Sequence, residues 1–153
     1  MEFDEVVKKR HSVRSYTAQI PSDSDIVKIL KAADLAPSAG GLKSRKVFVV
    51  KDQRIRRELA GAAHHQEFVA QAPIVLVFCA DLDMIATYGR RGRDLYCIQD
   101  TSAAIENALL KAADLDLGSC WVGAFEEEKV SEICRLPTWL RPVALVTIGY
   151  ESQ

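Results

Sequence analysis

The chain has 153 residues, 48% of them apolar and 27% charged, which suits one folded domain with a core of its own. A formal net charge of -1 offers no positive field for nucleic acid, and the longest apolar run, residues 74–80, is far too short to span a bilayer. The N-terminus lacks the apolar core of a secretory signal, so a cytoplasmic protein is expected.

Phe3, Val6 and Val7 mark the apolar stripe of a short first helix. It runs into Arg10-His11-Ser12-Val13-Arg14, where alternation puts Arg10, Ser12 and Arg14 on one face of an extended segment. Planar cations and a hydroxyl on one face suit a phosphate and a heterocycle with carbonyl oxygens. The same charges also suit a helix C-terminus bathed in solvent. Pro21-Ser22-Asp23-Ser24-Asp25 then reads as a helix start, with Ser22 and Asp25 as a capping-box-like pair ahead of Ile26, Ile29, Leu30 and Ala33. Pro37 ends that helix, and Ser38-Ala39-Gly40-Gly41 forms a tight loop with Lys43 just beyond. Glycines there let backbone amides approach a flat ligand edge, although a plain helix-ending turn explains the pair as well.

Residues 47–50 are β-branched or aromatic and predict a buried strand; residues 52–63 predict a helix with Ile55 and Leu59 inward. Residues 74–80 are apolar on both faces, which places that strand in the middle of a sheet. A polar loop with three arginines follows over 88–93. The longest helix is predicted over 95–117, with Ile98, Ile105, Leu109 and Ala112 on one stripe. Its many alanines suggest packing on more than one side, a neighbouring subunit being a natural partner. A loop and short strand (118–125), a helix (126–135) and a closing strand (143–150) complete an α+β chain, a small sheet flanked by many helices. No repeat or linker divides it, so residues 1–153 are expected to form a single domain.

The four cysteines have no Cys-x-x-Cys pairing and read as reduced, buried thiols. His64 and His65 are adjacent, which is wrong for two ligands on one helix face, so no metal site is expected. Gly118-Ser119-Cys120-Trp121-Val122-Gly123-Ala124-Phe125 has the glycine spacing of a phosphate loop but lacks its Lys-Ser/Thr, which rules out a nucleoside-triphosphate site. Aromatic residues such as Trp121 and Phe125 more often belong to a core than to a cofactor platform. Hydrolase, Rossmann and metalloprotease signatures are missing, so if the chain is an enzyme a bound cofactor would carry the hard chemistry.

Taken in order, 10–14, the 36–40 turn before a strand, 118–125 and Ile148-Gly149-Tyr150 resemble the nitroreductase family of flavin mononucleotide (FMN) enzymes, as does the run from Tyr88-Gly89 to Glu106. The resemblance implies a nitroreductase-like α+β homodimer, with the long central helix at the dimer interface and FMN at each subunit boundary. It implies that Arg10 and Ser12 hold the phosphate and ribityl chain with His11 alongside, and that Arg14 approaches the pyrimidine edge. Pro37, Ser38, Ala39, Gly40 and Gly41 would border the ring system, and Trp121, Val122 and Gly123 its other edge. NAD(P)H and a flat oxidant such as a nitroaromatic or quinone would react in turn, with no protein nucleophile and no catalytic residue assigned. Where many relatives carry Asn-x-Gln-Pro, this chain has Gly41-Leu42-Lys43-Ser44, so Gly41 can offer backbone only and Lys43 a compensating charge. Relatives also commonly continue into a basic tail; here Arg10 and Ser12, or Arg90, Arg91 and Arg93, are left to grip the phosphate. The alternatives are another flavin reaction on the same fold, such as reductive dehalogenation or flavin breakdown, and a non-catalytic flavin-binding dimer.

Overall fold

A strand with no polar face must be covered on both sides, and the architecture follows from that demand. The computed structural model describes residues 1–153. In chain order the elements are α1 (Phe3–Lys9), α2 (Asp23–Asp34), β1 (Arg45–Val50), α3 (Gln53–Ala62), α4 (Phe68–Gln71), β2 (Ile74–Asp81), α5 (Gly89–Arg91), α6 (Cys97–Asp114), β3 (Gly118–Val122), α7 (Glu127–Ile133) and β4 (Leu140–Gly149). The strands form one antiparallel sheet in the order β1-β2-β4-β3. This is the expected α+β fold, with the apolar 74–80 run in an interior strand.

Alternation along β2 divides the core in two. Ile74, Leu76 and Phe78 point to one face, where Ile26 and Ile29 of α2 and Ile105 and Leu109 of α6 meet them. Val75, Val77 and Cys79 point to the other, against Leu59 of α3, Val69 of α4 and Val130 of α7. All six β2 side chains are fully buried. The helices begin where side chains can take up their first amides. Ser22 Oγ accepts from Asp25 N at 3.1 Å, and Asp52 Oδ1 accepts from Arg54 N and Ile55 N at 2.8 and 3.2 Å. A second capping box, Glu2 with Glu5, opens α1 without a Ser or Thr to advertise it. No helix is long and apolar enough to cross a membrane.

Several expectations are corrected. Of the α1 stripe only Val6 is buried; Phe3 is 70% exposed and Val7 45%, because α1 touches the body along a single line. The 47–50 strand is the sheet's edge rather than its interior, so Val47, Phe48 and Val50 are half-buried and Val49 is exposed. The expected loop over 88–93 is helical: a 3-10 turn (Ala86–Tyr88), α5 and a π turn (Gly92–Tyr96) feed directly into α6. Glycine content hid this, since Gly92 sits where a side chain would collide with Ile85 and Tyr88. Helix α6 is shorter than 95–117, closing at Asp114 so that Asp116 can turn the chain at φ 61°. Helix α2 ends at Asp34, ahead of Pro37, where Arg45 takes up its terminal carbonyls. The cysteines are free thiols, with Cys134 only half-buried.

Phe78 fills the middle of the α2/α6 layer. Phe78→Ala is expected to lower stability by about 3–5 kcal/mol, whereas Val49→Ala on the exposed edge should stay within about 1 kcal/mol. Urea unfolding followed by circular dichroism separates the two.

Candidate functional site

The basic segment leaves α1 at Arg10 and runs extended along the outer edge of β3. Ser12 bridges Ser119 in parallel fashion, with Val13 N donating to Ser119 O at 2.9 Å. Val13 is buried against Gly118, whose missing side chain makes room for it: a Cβ there would lie 3.0 Å from both Val13 methyls. Ser12 and Arg14 therefore face outward together, as alternation predicts, with Arg10 half-buried behind them. Neither Arg10 nor Arg14 has a carboxylate within ion-pair distance, although ten ion pairs occur elsewhere. Two unpaired guanidiniums, one exposed and one half-buried, beside a hydroxyl make a site for an anion.

Three contacts hold this segment. Tyr16 is buried, and its hydroxyl meets Val13 O at 2.8 Å and Thr147 Oγ1 at 2.6 Å; burial pushes the phenol well above its ordinary pKa. Tyr16 also bridges Glu151, and Ser152 N donates to Ser15 O at 3.0 Å. His11 lies between Lys9 O (2.9 Å from Nδ1) and the Glu151 carboxylate (3.0 Å from Nε2). Both partners accept, so both ring nitrogens must donate, and the imidazolium is favoured. Cys120 lies beneath the segment. Burial raises its thiol pKa, while Arg14 and the Ser12 hydroxyl pull it down. On the same strand Trp121 is 39% exposed, as a platform would be, while Val122 is buried and Gly123 open to solvent.

The second segment is built around a carboxylate. Asp100, only 5% exposed on α6, accepts from Ala39 N at 2.9 Å and from Ser44 Oγ at 2.6 Å. Arg45 reaches across with its guanidinium on the carbonyls of Asp34, Ala36, Pro37 and Asp100 at 2.7–3.2 Å. Between these anchors the chain makes a left-handed turn: Gly40 and Gly41 have φ of 59° and 67°, and Lys43 has φ 51°. Ser38 Oγ closes it by accepting from Lys43 N at 2.9 Å. Pro37, Gly40 and Gly41 are exposed, Ser38 and Ala39 half-buried. Lys43 Nζ is engaged by Asp34 at 2.7 Å.

Within one chain these two segments do not meet. Ala39 hangs from Asp100 in the first turn of α6, whereas Ala113 in its last turn lines the same small cavity as Arg10, His11 and Ser119. The intervening helix separates them by about 20 Å. Sequence reasoning missed the residues that hold the turn. Asp100 carried a readable signal, a charge on the inward stripe of a helix between Cys97 and Ala104. Arg45 carried none, because its partners are backbone carbonyls, and Glu151 carried none, because His11 is 140 residues away.

With the geometry in hand, the chain can be set against known proteins. The nitroreductase family profile matches residues 7–66 and 60–150. The chain belongs to the nitroreductase family. A candidate NADH dehydrogenase/NAD(P)H nitroreductase of Archaeoglobus fulgidus is 34% identical over 152 residues, covering 97% of this chain and 84% of the relative. The crystal structure of a nitroreductase family protein from Clostridium novyi superposes with a TM-score of 0.91 at 31% identity, covering 100% of this chain and 87% of the other. An FMN-dependent nitroreductase from Clostridium difficile gives a TM-score of 0.85 at 28% identity, covering 97% and 87%.

The His11–Glu151 contact gives a signed pH prediction. The folded-state pKa of His11 is raised, so the pair stabilises the fold fully below the unfolded value near 6.5 and ceases to do so as pH climbs through the folded value. An NMR titration should find His11 above 6.5, and Glu151→Gln should bring it back down.

Proposed function

We propose that this nitroreductase-family protein is an FMN-dependent NAD(P)H oxidoreductase that works as a homodimer and reduces flat oxidants such as nitroaromatics or quinones. One observation carries the reading: the two segments fit to hold a flavin lie at opposite ends of α6, so only a second copy can bring Arg10–Arg14 of one chain against Ser38–Gly41 of another. An exposed apolar groove of about 330 Å³ between α1, α2 and α6, lined by Met1, Phe3, Val6 and Leu35, supports a protein partner on that side.

The residues present fit the cofactor's chemistry. Unpaired Arg10 and outward-facing Ser12 suit a terminal phosphate, and Arg14 suits the electron-rich edge of the ring, where a fixed positive charge stabilises added negative charge. The left-handed Gly40–Gly41 turn presents bare backbone to a planar group, and exposed Trp121 offers an aromatic wall. FMN, held by these residues, would supply the two-electron redox chemistry linking NAD(P)H to the oxidant, the two substrates using the site in turn. The chain's own contribution is to bind, orient and charge-stabilise; no side chain is required as nucleophile. Lys43, paired with Asp34, does not add a free charge to this set.

Two experiments test this. Arg14→Ala is expected to weaken FMN binding by about tenfold or more, read from flavin fluorescence, since a charge-assisted hydrogen bond contributes roughly 1.5–3 kcal/mol. Coexpressing an Arg14→Ala chain with a Gly40→Val chain, assayed at FMN too low to fill either variant's own sites, should restore about a quarter of parental activity, because half of the random dimers are mixed and each mixed dimer has one intact site. Absence of complementation, with mixed dimers present, would sink the shared-site reading.

A further inference from the structure

Of the eleven arginines, Arg54 and Arg141 face carboxylates, while Arg45 and Arg56 are held by carbonyls. The remainder concentrate in two places, Arg10 with Arg14 and the trio Arg90, Arg91 and Arg93; Arg57 and Arg135 stand alone. The trio is exposed, without an ion pair, on the helical run leading into α6, and Asp94 is the one acid among residues 88–96. In a chain of net charge -1 so local an excess of planar cations calls for an explanation.

Arg91, in the middle of the trio, stands on an aromatic ledge, while Arg93 Nε points at Leu82 O at 3.5 Å. The Arg91 guanidinium lies 5.5 Å from the Tyr96 ring centroid, with Nε donating to the Tyr96 hydroxyl at 3.1 Å. Tyr96 meets Tyr88 edge to face, centroids 5.5 Å apart and planes at 77°. The Tyr88 hydroxyl in turn rests on Gly40, in space that any side chain at position 40 would occupy. The ledge is thereby joined to the Gly40–Gly41 turn. Stacking fixes the Arg91 fork in advance, which lowers the entropy lost on gripping an oxyanion.

We propose that Arg90, Arg91 and Arg93 dock the phosphates of the pyridine dinucleotide reductant. The inference rests on the oxidoreductase reading above. In that reading the partner's Arg10–Arg14 segment grips the flavin's own phosphate from the opposite end of α6, so the trio is free for a second anionic ligand. A dihydronicotinamide lying beside the Gly40 turn carries its phosphates on a flexible tether, and the ledge joined to that turn carries unpaired cations. Planar forks suit pyrophosphate or a ribose phosphate better than they suit a neutral oxidant.

The test compares two hydride donors on the FMN-loaded protein: NADPH or NADH, and N-benzyl-dihydronicotinamide, which has no phosphate. The readout is the ratio of kcat/KM for the dinucleotide to that for the phosphate-free donor. Replacing all three arginines by Ala should lower this ratio at least about tenfold for one or both dinucleotides, the loss expected for charge-assisted hydrogen bonds. Arg57→Ala, an exposed arginine elsewhere on the surface, should leave it unchanged. An unaltered ratio in the triple variant for both dinucleotides, or an equal fall with Arg57→Ala, would overturn the dock. Parent protein reduced by neither donor would overturn the oxidoreductase reading and the dock with it. Parent protein reduced by both, with the ratio unmoved by the triple variant, would remove the dock alone.

Discussion

The length of α6 is the constraint on which the functional architecture turns. Eighteen residues of rigid helix run beneath the sheet, with the Asp100-anchored turn at one end and the Arg10–Arg14 segment at the other. A helix does not bend enough to bring its two ends together, so neither segment can serve the other within a chain. The proposed pairing of subunits follows from this rigidity. The apolar surface left on α1 and α2, which the isolated chain does not bury, suits that pairing.

Each segment is held by polar contacts whose partners come from far along the chain. A buried carboxylate is costly unless its lone pairs are used, and Asp100 uses them on the Ala39 amide and the Ser44 hydroxyl. Arg45 satisfies carbonyls that the end of α2 would otherwise leave bare. Together they hold a left-handed turn open to solvent without covering it. The other segment depends on Tyr16 and Glu151 in the same way: buried or paired groups behind, free guanidiniums in front. Rigid backing with an exposed, unpaired face is what a ligand-binding edge requires.

Much of this was legible in the residues. The unbroken apolar run at 74–80 belongs to an interior strand, and the Ser22 cap and the periodicity over 52–63 marked the starts of α2 and α3 to within a residue. Alternation around Val13 placed Ser12 and Arg14 on one exposed face, whereas Arg10, expected beside them, is half-buried where α1 ends. Less legible was anything that depends on strand order. Residues 47–50 look as apolar as an interior strand, yet β1 has a neighbour on one side only, which no local pattern reports. The helical run over 86–96 was hidden because Gly92, which serves close packing against Ile85 and Tyr88, reads as a turn residue.

The sequence by itself determined the periodicities, and through them the elements, the two-sided core and the chemical character of the basic and glycine-bearing segments. These depend on neighbours within a few residues, where side-chain spacing and backbone sterics act directly. Only the tertiary structure decided which segments meet. It put the turn and the basic segment at opposite ends of α6, tied Lys43 to Asp34 and joined Tyr88 to Gly40, while leaving Arg10, Arg14, Arg90, Arg91 and Arg93 unpaired. Such contacts arise from how the sheet and helices pack, so their distances are set by the whole fold rather than by any stretch of chain.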